Sequence, residues 1–290
     1  MRGPLESWRA GAAQRAILDF VVATTMPTSA SYVRIEDRIA VFDHDGTLWC
    51  ERPLPIYAQF LVRRLAAMAE RDPELRARAD ALGLGDAIEG ATVEELASAA
   101  VAFVRSAQHP DLHRVYAECT YRPMIALVRF LHANHFTTYL AAGGGRDFVR
   151  PLSQELYGIP PERVIGSSSD LELVDDDVAK LVHKRPPDLL DDGPAKPIQI
   201  WGRVGRRPIL VAGNANGDIP MLRYAAHPSR PSLGLLVDHD DDKRDIAYRD
   251  GADEALRLAS RHGWIVVSIK DDWADVMSAS GNGGNGDRRG

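Results

Sequence analysis

Two carboxylates two residues apart, Asp43 and Asp45, sit in the turn Asp43-His44-Asp45-Gly46-Thr47, directly after the apolar run Ile39-Ala40-Val41-Phe42. If strand geometry persists into the turn, both side chains project to the same side. Acids held that close repel one another and need a cation between them, and hard oxygen donors favour Mg²⁺. The bland alternative is a tight Asp-Gly turn with solvated acids. A calcium loop is excluded. With Gly46 at the sixth position of such a loop, the first would be Val41 and the twelfth Arg52, and neither carries a carboxylate.

Two more segments have the same character. In Ala141-Ala142-Gly143-Gly144-Gly145, the backbone amides of Gly143 and Gly144 can cradle a phosphate where a helix begins. A dinucleotide fingerprint starting at Gly143 needs a glycine at position 148, which is Phe148, so a nicotinamide or flavin site is not supported. Gly213-Asn214-Ala215-Asn216-Gly217-Asp218 offers oxygen ligands to a shared cation, or else is an Asn-Gly turn capping the next helix.

These segments meet only if the strands preceding them lie side by side, as they do at the carboxyl edge of an open parallel sheet. Short apolar strands are expected at Ile39 to Phe42, Phe136 to Ala142, Val164-Ile165, Ile209 to Ala212, Leu233 to Val237 and Ile265 to Ile269, with helical patterns between most of them. The expected fold class is therefore α/β, a doubly wound and mainly parallel Rossmann-like sheet. Trp8, Ala12, Ala16 and Phe20, with Ala13, Ile17 and Val21 beside them, predict an N-terminal helix docked on the core. From about Glu51 to Thr120 the pattern reads as helical throughout, with Thr92 and Glu95 forming a capping box, so an all-helical insert is expected there. Pro123 starts a helix through Leu127 and Leu131, and the helix carrying Phe148, Leu152 and Leu156 stops at Gly158. Leu171 to Val182 reads as a β-hairpin added to the core, and the Gly/Asn-rich tail from Ser278 as disordered. The division is core at 1–50 and 122–277, cap at 51–121 and tail at 278–290.

Composition narrows the function classes. The 290 residues are 45% hydrophobic and 26% charged, and a formal net charge of -6 without clustered Lys and Arg gives no footprint for nucleic acid. No apolar stretch approaches the ~18 residues of a membrane span, and Met1 to Ala30 lack a signal-peptide pattern. Two cysteines, Cys50 and Cys119, form neither a zinc motif nor a disulfide framework. A cytoplasmic enzyme is expected.

Taken in order, the motifs resemble the haloacid dehalogenase superfamily, in particular its phosphoserine-phosphatase-like branch with a helical cap after the first motif. The resemblance runs from Ile39 to about Met277. It implies an HAD-like core and Mg²⁺-dependent hydrolysis of a small phosphorylated metabolite, phosphoserine-like esters among them, through an aspartyl-phosphate. Asp43 would be the nucleophile and Asp45 the acid and base. Lys196 falls at the phosphate-binding lysine, ahead of the weaker candidates Lys180 and Lys184. The metal would be held by Asp43, Asp45, Asn214 and Asp218. Glu51 resembles in position an acid that reads substrate, offset by one residue. Asp45 argues against dehalogenase chemistry, whose branch lacks the second aspartate. Two departures stand out: Ala142 where a phosphate-binding hydroxyl is usual, and Asn214 where an aspartate usually leads the metal motif. They also fit a non-catalytic phosphate or metabolite binder, and a phosphotransferase is a third class. The run Asp238-His239-Asp240-Asp241-Asp242 either edges the pocket or is a solvated helix start. Oligomeric state is not readable.

Overall fold

The computed structural model describes residues 5–72, 74, 83–184 and 191–277. Six strands form one parallel sheet: β1 (Ile39–Asp43), β2 (Thr137–Gly145), β3 (Val164–Ser167), β6 (Leu210–Gly213), β7 (Leu233–Asp238) and β8 (Ile265–Ser268). Their spatial order is β3-β2-β1-β6-β7-β8. The connections run from β1 outward to β2 on one side and return to β6 on the other, so the chain changes direction at β1, where such sheets open a crevice at their carboxyl ends. Phe42 is level with Leu140 on one neighbour and with Ala212 on the other. Asp43, the glycines after Ala142 and Asn214 after Gly213 therefore emerge along one edge.

Both faces of the sheet are covered, which is why its strands read as unbroken apolar runs rather than alternating ones. Ala40, Phe42, Leu140, Leu210 and Leu235 point into one cluster with helices α1 (Ala12–Thr25), α4 (Arg122–Ala133) and α5 (Arg146–Tyr157). Ile39, Val41, Val211 and Leu236 point into a second, with α6 (Ala195–Val204), α7 (Ile219–Ala225) and α8 (Asp253–His262). Phe42 has no exposed surface, and removing a ring so placed costs about 3–5 kcal/mol. Gly158 ends α5 at φ 72°, in the left-handed conformation expected of it. In α1 the buried stripe is Ala13, Ile17, Val21 and Thr24, one position on from the stripe led by Ala12, which is exposed. Trp8 precedes the helix and donates its indole N–H to the Pro123 carbonyl at 2.8 Å.

The segment from Glu51 to Thr120 is not helical throughout. Among its described residues it contains α2 (Ile56–Arg71), a short turn at Leu84–Ala87, α3 (Val93–Ser106) and another at Tyr116–Glu118. Pro53 and Pro55 keep its first residues out of a helix. The capping box opens α3 as expected: Glu95 N–H donates to Thr92 Oγ1 at 3.1 Å, and Thr92 N–H to Glu95 Oε2 at 2.9 Å. The chain leaves and rejoins the core through a paired neck, with Cys50 N–H bonded to the Cys119 carbonyl at 3.1 Å and Tyr121 N–H to that of Leu48 at 2.9 Å. Ile56, Phe60, Leu61, Leu96, Ala100 and Val104 belong to the same buried cluster as the α1 face of the sheet. The hairpin, β4 (Leu171–Asp175) with β5 (Ala179–His183), is antiparallel as expected. Its backbone partner is the insert, not the core sheet: His183 N–H bonds the Ala91 carbonyl and Gly90 N–H that of His183, each at 2.9 Å. The tail from Ser278 lies outside the described residues.

Candidate active site

Lys196, on the first turn of α6, bridges two carboxylates at the sheet edge. Its Nζ lies 2.5 Å from Asp43 Oδ1 and 2.6 Å from Asp218 Oδ1, with all three residues at most 5% exposed. Burial alone would lower the Lys196 ammonium, but Asp218 and Asp43 hold it above its ordinary range. Burial, with Asp218 beside it, pushes Asp43 well above the usual carboxylate range despite Lys196. The other Asp218 oxygen accepts the amides of Asn214 and Ala215 at 2.9 and 3.0 Å. Both its oxygens thus accept protein donors, and Asp218 ties the turn to the lysine at the cavity wall. Gly213 allows this approach, because a Cβ there would fall 2.5 Å from Asp218 Cγ. Lys180 and Lys184 lie exposed on and just after β5.

Asp45 is held by the Trp49 indole N–H, 2.7 Å from Oδ1. Burial raises its carboxyl to about 6, and that hydrogen bond opposes the rise. His44, between the two acids, turns away to Tyr157 OH at 2.8 Å, and burial lowers its imidazole to about 3. Asn214 is locked on both sides. Its Oδ1 accepts from Thr47 Oγ1 at 3.1 Å and its Nδ2 donates to Glu51 Oε1 at 2.9 Å. Tyr248 OH donates to the same Glu51 oxygen.

Asp43, Asp45, Glu51, Asp192, Lys196 and Asp218 line a cavity of about 490 Å³, with Gly143, Gly144 and Tyr57 among the other walls. Five carboxylates face one ammonium, an excess of negative charge that a divalent cation would offset. Among the described residues no group of three or more His, Cys, Asp or Glu side chains is arranged to hold a metal ion unaided. A cation here would draw on mixed oxygen donors: the Asp43 carboxylate, the Asp45 main-chain carbonyl and the Asn214 amide oxygen. Such a set fits Mg²⁺, which takes few protein carboxylates and keeps waters.

The glycine run has a second reason to be glycine. A Cβ on Gly145 would lie 2.5 Å from Tyr57 Cζ, and one on Gly144 3.4 Å from Tyr57 Cβ. The insert's Tyr57 therefore rests on this stretch, and only Gly143 and Gly144 reach the acidic cavity. Ala142 lies in the packed α1-side cluster and lines no part of the cavity. The acidic run after β7 is neither a pocket edge nor a solvated helix start. Asp238 pairs with Arg249, Asp241 with Arg244, and Asp240 bonds Ser268 Oγ at 2.6 Å. Within that run, His239 supports the turn Asp43 to Thr47, with Nε2 at 2.8 Å from the Gly46 carbonyl and Nδ1 at 3.0 Å from Asp245. In the sequence His239 reads only as part of the acidic run, and Tyr57 on α2, Tyr248 and Asp192 carry no motif spacing that would have revealed them.

A family model described as haloacid dehalogenase-like hydrolase matches residues 40–223. The chain belongs to this family. A search of curated proteins returned no match. Among solved structures, this family member is similar to a conserved functionally unknown protein from Anaerococcus prevotii DSM 20548. That pair shares 16% identity over 91% of this chain and 94% of the other, with a TM-score of 0.55. A protein with unknown function from Bordetella pertussis Tohama I shares 16% identity over 79% and 97%, with a TM-score of 0.51. A phosphoserine phosphohydrolase-like protein from Francisella tularensis subsp. tularensis SCHU S4 shares 12% identity over 79% and 94% at 0.43, too distant to bear on substrate. Among the described residues no helix is long and apolar enough to cross a membrane.

Proposed function

We propose that this protein hydrolyses small phosphomonoesters in two steps through an aspartyl-phosphate on Asp43. The observation that carries the reading is the clamp of Lys196 on Asp43 in a cavity that Asp45 also faces. With Oδ1 held by the ammonium, Oδ2 is the oxygen free to attack phosphorus in line. Asp45, raised to about 6, holds the proton that the leaving alkoxide takes up. The resulting Asp45 carboxylate then accepts a proton from the water that attacks the phospho-Asp43 bond, which returns both side chains to their starting states. Lys196 offsets charge on the transferring group, and the Gly143 and Gly144 amides face its oxygens.

Mg²⁺ held by Asp43, the Asp45 carbonyl and Asn214 would supply the positive charge that lets one anion approach another. In this reading Glu51, itself at the cavity wall, fixes the Asn214 amide through Nδ2 while Thr47 holds its oxygen. Residues 51–121 act in this reading as a cap, because Pro55, Tyr57 and Ala58 of the insert wall the cavity opposite the carboxylates. Free thiols at Cys50 and Cys119 support a reducing, cytoplasmic setting.

The test is phosphate release from a generic aryl phosphate with purified protein. Release should require Mg²⁺, disappear in Asp43→Asn, and be blocked by a stable beryllium fluoride adduct on Asp43. No release from a broad panel of phosphate esters at saturating Mg²⁺, with no adduct, would reduce the protein to a binder of phosphorylated metabolites.

A further inference from the structure

A second cavity, of about 260 Å³, opens between the insert and the ends of β2 and β3, and it shares Tyr57 and Gly143 as walls with the acidic one. Its remaining lining is Leu61, Leu84, Gly85, Ile88, Gly145 and Ser167 to Ser169. Not one Asp, Glu, Lys, Arg or His side chain is among these described residues. Two of its three serine hydroxyls are already engaged: Ser167 Oγ donates to the Gly143 carbonyl at 2.7 Å, and Ser169 Oγ meets His183 Nδ1 at 2.9 Å. What the chamber offers an occupant is therefore an aromatic face and aliphatic walls, Leu61 and Ile88 being nearly inaccessible and Leu84 44% exposed.

We propose that this chamber takes the organic half of the substrate, and that the preferred substrates are phosphate monoesters of small uncharged apolar alcohols or phenols. The proposal rests on the phosphomonoester reading above. A cavity of about 150 Å³ lined by aliphatic groups admits benzene, so this one has room for a substituted ring or a short alkyl chain. Phosphoserine would bring an ammonium and a carboxylate into walls whose described residues offer no charged partner for either, and buried charge without a partner is strongly disfavoured. Phosphate seated on Gly143 places its ester oxygen beside the chamber, since the same residue walls both spaces.

The experiment measures kcat/KM with Mg²⁺ for linear alkyl phosphates from methyl to hexyl, for phenyl and 1-naphthyl phosphate, and for O-phosphoserine and phosphoethanolamine. Values should rise by about fourfold per added methylene until the chamber fills, the factor set by burying one CH₂. O-phosphoserine should fall at least about tenfold below butyl phosphate, of comparable length. Leu84→Asp, at an exposed position the fold tolerates, should flatten the series. A flat series, or phosphoserine equal to or better than the alkyl esters, overturns the proposal and leaves the phosphatase reading standing. Equilibrium binding of 1-naphthyl phosphate and O-phosphoserine to Asp43→Asn, followed by calorimetry, decides the case without turnover. Tighter binding of the naphthyl ester supports the chamber even if no ester is hydrolysed, and equal or weaker binding refutes it.

Discussion

Installing the aspartate usual at the head of the metal motif, Asn214→Asp, should weaken this protein rather than strengthen it. In the native site the Asn214 Nδ2 group donates to Glu51 Oε1 at 2.9 Å, and Tyr248 donates to the same oxygen. The substitution puts a carboxylate oxygen where the donor was. Two unit charges 2.9 Å apart repel by about 6 kcal/mol at an effective dielectric constant of ~20. That figure is a ceiling, because a proton shared between the acids or a cation beside them relieves it. Losing a hydrogen bond to a charged group adds about 1.5–3 kcal/mol. After such relief the expected net loss is about 2–4 kcal/mol in chelator at pH 8, and less at pH 5, where a shared proton is available. Urea denaturation in chelator and in saturating Mg²⁺ reads the effect. Mg²⁺ should stabilise Asn214→Asp more than the parent, because the added charge is offset only when the cation is present. The double variant Asn214→Asp/Glu51→Gln should recover most of the loss. If Asn214→Asp is as stable as the parent in chelator, or if Glu51→Gln fails to rescue it, the account of Glu51 as the partner that fixes Asn214 is wrong.

Lys196→Met leaves Asp43 and Asp218 facing each other in the interior and should cost about 3–5 kcal/mol. Because Asp43 titrates above its unfolded value, the deficit should shrink as pH falls toward 4 and grow as pH rises, which denaturation at pH 5 and pH 8 would resolve. Trp49→Phe removes the bond that holds the Asp45 carboxyl down, so its titration moves above about 6 and the alkaline limb of the kcat/KM profile should shift to higher pH. Gly145→Ala drives a methyl into the Tyr57 ring and should cost about 1–3 kcal/mol, a penalty that thermal melts should find reduced in a Tyr57→Ala background.

The sheet was legible in the sequence because its strands are buried on both faces: Ile39 to Phe42, Ile209 to Ala212 and Leu233 to Val237 are apolar without interruption, and each ends abruptly in polar residues. Asp43, Asp45, Asn214 and Asp218 were legible for the same reason, since a strand end fixes where the next few side chains emerge, whereas Lys196, on a helix, was found only through the family resemblance. What the sequence did not disclose was the division of labour among them. Whether Asp218 offers an oxygen or uses both depends on amides and an ammonium brought from another helix. Glu51 could be placed near the site, yet its bond to Asn214 joins residues 163 apart in sequence, and only the fold brings them together. The described part of the insert is not wholly helical because Pro53 and Pro55, and the backbone pairing of Cys50 with Cys119, keep its two ends out of a helix. The hairpin's strands followed from their alternation, whereas its partner, the Gly90–Thr92 backbone, left no trace in side-chain pattern.

The neck between Leu48 and Tyr121 has a consequence for how such a protein can diversify. With Cys50 and Cys119 joined backbone to backbone, the insert is a loop whose ends are already fastened, and doubling the length of such a loop costs only about 0.6 kcal/mol in closure entropy. Lengthening, trimming or reshaping the chain beyond that clasp leaves the strand ends that hold Asp43 and Asn214 where they are. In the phosphatase reading proposed above, the insert beyond Glu51 can therefore change shape while the acid pair and its lysine stay fixed.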